Sequence, residues 1–418
     1  MARVCRAGRW IPVGKQWLTI GRMVDALLIS GAGIAGLAAA LALSRAGAQV
    51  DVVERAPDLS TEGAGVQLGP NVTRILRAWG LQDALNAVAV FPQNLCARDA
   101  RDGRVVGQVA LSAGAQRYGA PHVCIHRADL QMLLWHAAQQ EGHIHWHWGQ
   151  ALQSVSQTAD HVSVRSEAGQ TWSAQGLVVA QGIGSPLRCQ LLGDGAATPT
   201  GHVALRALLP MADVPKGLRS SDVQVWMGVD FHMVHYPVRG SQWLNLVLVL
   251  NRPDMALDPG WSGVGDAAWA QRAVNRSCAA LRDLVGAVSE WRYWVLADRP
   301  PLSSASEMAQ GRVALVGDAA HPMRPYLAQG AGMSIEDAAA LQMAWQGQSS
   351  DSVAAAWQAM AHSRWQRVAQ VQQQSRRNGR IFHSTGLLRW GRNLALQTWG
   401  PHLMDPAWLY GGGPMPTV

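Results

Sequence analysis

Lysine is almost missing from this 418-residue chain, where Lys15 and Lys216 are the only two. Phenylalanine occurs three times, and charged side chains make up only 15% against 48% hydrophobic. That balance describes a well-buried globular protein and excludes long disorder. No internal repeat or low-complexity run is present, so fibrous and solenoid classes are out. The five cysteines (Cys5, Cys96, Cys124, Cys189, Cys278) are dispersed and never spaced C-x-x-C. They form neither a disulfide framework nor a zinc site, and a reducing cytoplasm is the expected location. The chain lacks a G-x-S-x-G elbow, an H-E-x-x-H pair and a Walker lysine motif. Acyl transfer, zinc hydrolysis and P-loop phosphoryl transfer are thereby excluded. His143, His145 and His147 alternate with tryptophan and have no carboxylate or cysteine partner. They point to a strand, and no metal is expected.

The net charge of +7 is unevenly spread. Residues 1–22 hold Arg3, Arg6, Arg9, Lys15 and Arg22 and no acid, so they read as a basic extension before a fold that begins at Met23. A second acid-free stretch, Arg364 to Arg392, reads as a solvated helical face. It lacks the aromatic-basic interleaving of nucleic-acid modules, so no nucleic-acid partner is expected. Ala26 to Leu43 imitates a membrane anchor, but its glycines say otherwise, and no second apolar run is long enough to cross a bilayer.

Val24-Asp-Ala-Leu-Leu-Ile-Ser30 has the apolar continuity of a buried parallel strand. Gly31-Ala-Gly33-Ile-Ala-Gly36 and an Ala/Leu-rich helix to Arg45 follow, and Gln49-Val-Asp-Val-Val-Glu54 gives a second strand ending in an acid. This is the dinucleotide-binding order. Gly31 allows the turn, Gly33 lets the backbone approach a pyrophosphate, and Gly36 packs helix on strand. Glu54 can hold ribose hydroxyls. By itself the motif does not separate NAD from FAD. A later strand, Gly311 to Gly317, ends in Asp318 and leads through a Gly-rich segment to a helix near Met333. It implies a further cofactor contact that a plain NAD dehydrogenase does not need.

With both motifs, the chain resembles the FAD-dependent aromatic hydroxylases, the single-component class A flavoprotein monooxygenases. GAGIAGL…VVER is similar to their adenosine fingerprint, which includes Ala35 and Arg55, and GDAAHPMRPYLAQGAGMSIEDAAAL to their second FAD motif. GAGVQLGPNVTRILRAWGL and IHRADLQMLL match as well. PYLAQGA, RVAQVQQQSRRNGRIFH and WLYG place it with the salicylate hydroxylase and 3-hydroxybenzoate 6-hydroxylase subgroup. The resemblance implies non-covalent FAD, with Glu54 at the adenosine ribose, Arg127 near the phosphates and Asp318 at the ribitol or ribose. It sets Pro325 near the flavin's reactive edge, and Gly330, Ala331 and Gly332 near its N1–O2 end. NAD(P)H would reduce FAD, O2 would form a C4a-hydroperoxyflavin, and its distal oxygen would pass to the ring of a small aromatic substrate. In one departure, the middle motif, which usually opens with Asp-Gly, here opens with Gln181-Gly182. Gln keeps hydrogen-bonding capacity and loses a charge, which bears on NAD(P)H use.

The pattern changes between 201 and 298, where short strands around turns suggest an antiparallel sheet. On a strand, residues i and i+4 share a face, so His232 and Tyr236 would point into one cavity and His235 to the other side. A phenol must lose its proton to activate its ring, and histidine suits that transfer. The subgroup resemblance makes His232 the base, with Tyr236 orienting the ring, while His321, inside GDAAHP, reads as structural.

The expected fold is α/β, a Rossmann-like FAD-binding domain with an inserted β-rich substrate domain and C-terminal helices. Its segments are 23–90, 120–200 and 299–333 for FAD, 91–119 and 201–298 for substrate, and 334–418 for the helical region. Homodimer formation is compatible with this reading, and stable membrane insertion is not expected. Three alternatives stay open: a ubiquinone-pathway ring hydroxylase at the membrane surface, a same-fold flavin-dependent reductase or halogenase, and a non-catalytic FAD-binding sensor.

Overall fold

A computed structural model describes residues 22–23, 26–59, 63–254, 262–348 and 352–416. Residues 1–21 of the basic extension lie outside the described residues, as do Val24 and Asp25 at the start of the first expected strand.

A six-stranded sheet forms the first layer. Its order is Ala309–Gln310, Val313–Leu315, Gly176–Val179, Leu27–Ser30, Val50–Val53 and Ile144–His147. All neighbours are parallel except the outer Ala309–Gln310 pair. Leu27–Ser30, Val50–Val53 and Gly176–Val179 are buried at every position, as expected for parallel strands covered on both faces. The chain winds outward in both directions from Leu27–Ser30, leaving a crevice at that strand's carboxyl end. Helix Ile34–Arg45, rich in alanine and buried along most of its length, packs on helix Gly330–Trp345. A three-stranded meander, Leu152–Gln157, Val162–Ser166 and Thr171–Ala174, sits beside this sheet, and Arg22–Met23 pairs with its last strand.

The second layer is an eight-stranded sheet. In order it contains Ser262–Gly265, Trp291–Asp298, Thr198–Pro210, Trp243–Asn251, Phe231–Val238, Val223–Met227, Asn94–Asp99 and Val105–Ala110. Every pairing is antiparallel except Val223–Met227 with Asn94–Asp99. One face, with Leu205, Met233, Leu246 and Leu248, packs on helices Ala267–Val274 and Ala279–Gly286. The opposite face overlooks the crevice of the first sheet.

Helix Val353–Phe382 ties the layers together. Arg377 and Arg380 of the acid-free stretch are exposed, but its other five arginines do not form the solvated face that the sequence suggests. Arg364 is buried against Glu336 and Asp337 at 2.5 and 2.9 Å, and Arg367 reaches Glu336. Arg376 pairs with Asp298, while Arg389 and Arg392 pair with Asp99. The acids are distant in sequence, so no local count shows the neutralisation. No helix among the described residues is long and apolar enough to cross a membrane.

Candidate active site

The three glycines after Leu27–Ser30 have different surroundings. Gly31 has φ +107°, and a Cβ there would lie 2.6 Å from the Ala180 carbonyl oxygen. A Cβ on Gly36 would collide with the Gly31 carbonyl, whereas Gly33 faces open space and lines a cavity of about 390 Å³. Helix Ile34–Arg45 has no side-chain N-cap, so its first N–H groups remain available beside Gly33. Glu54 braces the loop, its carboxylate accepting from the Ala32 N–H at 2.6 Å and the Ala56 N–H at 2.8 Å.

The later segments reach the same cavity. Arg127 opens helix Arg127–Gln139 and lines the cavity with no side-chain hydrogen bond among the described residues. Gly317, at φ +56°, leaves no room for a Cβ beside Ser334 and Ala35. It turns the chain so that the Asp318 side chain stands open to the cavity. His321 is buried against Asp337 at 2.6 Å and stays out of the cavity. Pro325, Gly330, Ala331 and Ala35 line the cavity, with Gly330 and Ala331 opening a helix that has no side-chain cap. Gly332 does not line it; the residue packs against Val72 and Gln329. Arg55 is exposed and also lies off the cavity.

These groups fit FAD: two uncapped helix N-termini, one glycine with open space, a free guanidinium and a free carboxylate. Phosphates suit the helix start beside Gly33, the open glycine and the guanidinium, an electron-rich ring suits the helix start at Gly330, and a polyol hydroxyl suits the carboxylate.

Gln181 is turned to another task. Its amide donates to the Leu152 carbonyl at 3.0 Å and accepts from the Ser185 hydroxyl at 2.7 Å. Ala180 and Gly182 line the cavity and Gln181 does not.

The roof comes from the eight-stranded sheet. The register aligns Ala204, Val249 and His232 across three strands, then Arg206 with Val247 and Val234, then Asn245 with Tyr236. His202 lies two residues before Ala204, on the same face. His232, Tyr236 and Arg206 all line the cavity. His235 faces away and stacks on Trp226.

His232 is buried, and its Nδ1 lies 2.9 Å from Nε2 of His383, leaving Nε2 for the cavity. Burial, with His383 and His202 nearby, holds its pKa well below the ordinary value, so the ring is neutral at neutral pH. Burial raises the Tyr236 pKa, keeping that hydroxyl protonated. Arg206 stacks over Trp294 at 4.8 Å, has a buried Nε without a partner, and makes no side-chain ion pair among the described residues. A lone arginine inside Val203-Ala-Leu-Arg-Ala-Leu-Leu-Pro210 was the available signal for it. His202, Tyr326 and His383 were not singled out in the sequence. The Tyr326 hydroxyl bonds Nδ1 of His202, whose ring stacks on His383 at 5.3 Å.

Comparison with known proteins bears on the same cofactor and fold. A family model described as an FAD binding domain matches residues 23–372. A 3-hydroxybenzoate 6-hydroxylase of Polaromonas naphthalenivorans is 36% identical, over 92% of this chain and 95% of that protein. A 6-hydroxynicotinate 3-monooxygenase of Bordetella bronchiseptica is 34% identical, over 88% of this chain and 93% of the relative. The fold matches a salicylate hydroxylase substrate complex with a TM-score of 0.79 at 23% identity, covering 92% of this chain and 95% of that one. Sequence motifs, cavity and relatives agree: the chain belongs to the FAD-dependent monooxygenases that hydroxylate small aromatic rings, with NAD(P)H as co-substrate.

Proposed function

We propose that this enzyme hydroxylates a small aromatic acid bearing a ring hydroxyl. The observation that carries the reading is the shared sheet face presenting His232, Tyr236 and Arg206 to the cavity bordered by the cofactor motifs. Arg206 holds the substrate carboxylate, since its charge meets no internal acid and a bidentate pair satisfies its fork. Neutral His232 takes the phenolic proton through Nε2, and Tyr236 orients the ring. Gly33, Arg127 and Asp318 would hold the FAD, with Glu54 near its ribose and Pro325, Gly330 and Ala331 near its ring. The bound flavin supplies activated oxygen at the expense of NAD(P)H and O2. His232 is buried, so the proton goes to a fixed acceptor. Two of the relatives named above have hydroxylated aromatic acids in their names.

Screening benzoates, nicotinates and phenols for stimulated NAD(P)H oxidation, with product counted per NAD(P)H, tests the reading. Phenols lacking a carboxylate should stimulate less. His232→Ala should keep FAD and retain part of the flavin reduction, while hydroxylation falls about 10²–10⁴-fold and hydrogen peroxide rises. A variant that stays fully coupled with an unchanged pH profile would make His232 structural. A cytoplasmic location is supported by the free cysteines Cys96, Cys124, Cys189 and Cys278. The exposed Leu387, Leu388 and Trp390 of helix Gly386–Met404 support a homodimer, which sedimentation across protein concentrations would test.

A further inference from the structure

We propose that His383 is the second member of a proton relay that carries the substrate's phenolic proton from His232 to solvent. The inference rests on His232 being the base. His232 is only 1% exposed, so a proton taken at Nε2 has no direct route to bulk water. Its other nitrogen is 2.9 Å from Nε2 of His383. His383 closes helix Val353–Phe382 and is partly exposed. It therefore links a sealed position to the surface.

The surroundings favour transfer over storage. Around the two rings lie Phe382, Tyr326 and His202, with Arg324 acting on His202 and Arg392 on His383. No carboxylate hydrogen bonds either ring among the described residues. Burial, with His202 and Arg392, pushes His383 down to about 4. An imidazolium left on either ring would be desolvated and would face other cations. Concerted movement avoids that state. The phenol O–H bond breaks as its proton joins His232 Nε2. The His232 Nδ1 proton moves to His383 Nε2, and the His383 Nδ1 proton leaves to water. One proton crosses, no electrons are redistributed between molecules, and both imidazoles remain neutral as their other tautomers. A later inward proton transfer restores them. Stacking of His202 on His383 and the His202–Tyr326 bond fix the ring's orientation.

The test uses oxidised, FAD-loaded enzyme without NAD(P)H, mixed in stopped flow with 3-hydroxybenzoate. Ultraviolet absorbance follows phenolate formation, and a pH indicator follows proton release. The parent should show both together. His383→Gln should bind the ligand equally but form phenolate about a hundred-fold more slowly, the low end of acid–base effects, with added imidazole restoring the rate. His232→Gln should form no phenolate. If His383→Gln matches the parent, is insensitive to imidazole, and His232→Gln is inactive, the relay is wrong and the base assignment stands. If His232→Gln forms phenolate normally, the base assignment fails and the relay with it. Should His383→Gln not retain FAD, the parent's rates in H2O/D2O mixtures decide. A curved dependence, with more than one proton in flight, supports the relay, and a straight line overturns it.

Discussion

Asp318 stands open to the cavity and makes no hydrogen bond among the described residues, as suits an acid reserved for a ligand hydroxyl. Asp318→Ala should weaken FAD binding by about 1.5–3 kcal/mol, the value of a charge-assisted hydrogen bond. Flavin retained on gel filtration at the parent's level would reject this role. Gln181 is the opposite case. The missing acid suggests that Gln181→Asp would speed flavin reduction, yet the side chain already serves Leu152 and Ser185. Aspartate cannot donate, and its charge would meet the Leu152 carbonyl. Gln181→Asp should therefore lose about 1–3 kcal/mol of stability and gain no reduction rate. Thermal melts and rapid-mixing reduction check both, and a faster, equally stable variant would restore the simpler reading.

Helix Gly330–Trp345 shows how an element is held in place for chemistry. Its N-terminus borders the cavity without a cap, while Glu336 and Asp337 about two turns on are locked by Arg364, Arg367, His321 and Asn71. A buried network of this kind contributes position more than net stability, and removing one partner strands the others. Arg364→Met should cost about 3–5 kcal/mol in denaturant unfolding and loosen FAD even in molecules that remain folded. A loss below about 1 kcal/mol would show that the pair behaves like a surface salt bridge. The helix itself was legible from the GDAAHP…GAGMSIEDAAAL segment. Its partners were not, because Arg364 comes 27 residues after Asp337 on another helix.

At the scale of the whole molecule, buried neutral histidines make the fold sensitive to acid. Burial pushes His122 down to about 4 and His235 to about 3, and also lowers His126, His202, His232 and His383. Unfolded, these rings take up protons near pH 6.5. The unfolded state then binds more protons than the folded one, so stability falls as pH drops below about 6.5. Glu336 and Asp337 are held low by Arg364 and His321 against the opposing effect of burial. Their contribution is lost further down, as pH falls below the ordinary carboxylate range. Melting temperature should decline from about pH 7 to pH 5, a window set by histidine and not by carboxylates. His235, with neither ring nitrogen bonded, is the sharpest case, and His235→Leu should help more at the acid end. A flat profile would contradict this account.

The nucleotide-binding half was legible because its signals are local. A glycine at positive φ, a strand ending in an acid and a helix start are each fixed by a few neighbouring residues. The shared face of His232 and Tyr236 also follows from strand period alone. Arg206, His202 and His383 join them only through the pairing of separate strands and the docking of a helix end. The His232–His383 bond spans 151 residues. Likewise, a run of arginines without acids is a basic stretch in one dimension, and five of its seven members become ion-paired once distant acids pack against it. Sequence determined the backbone conformations that hold a flavin, because these depend on sterics within a turn or two. Tertiary structure decided which side chains share a proton, a charge or a substrate, because those energies depend on distances set by the packing of both sheets and the C-terminal helices.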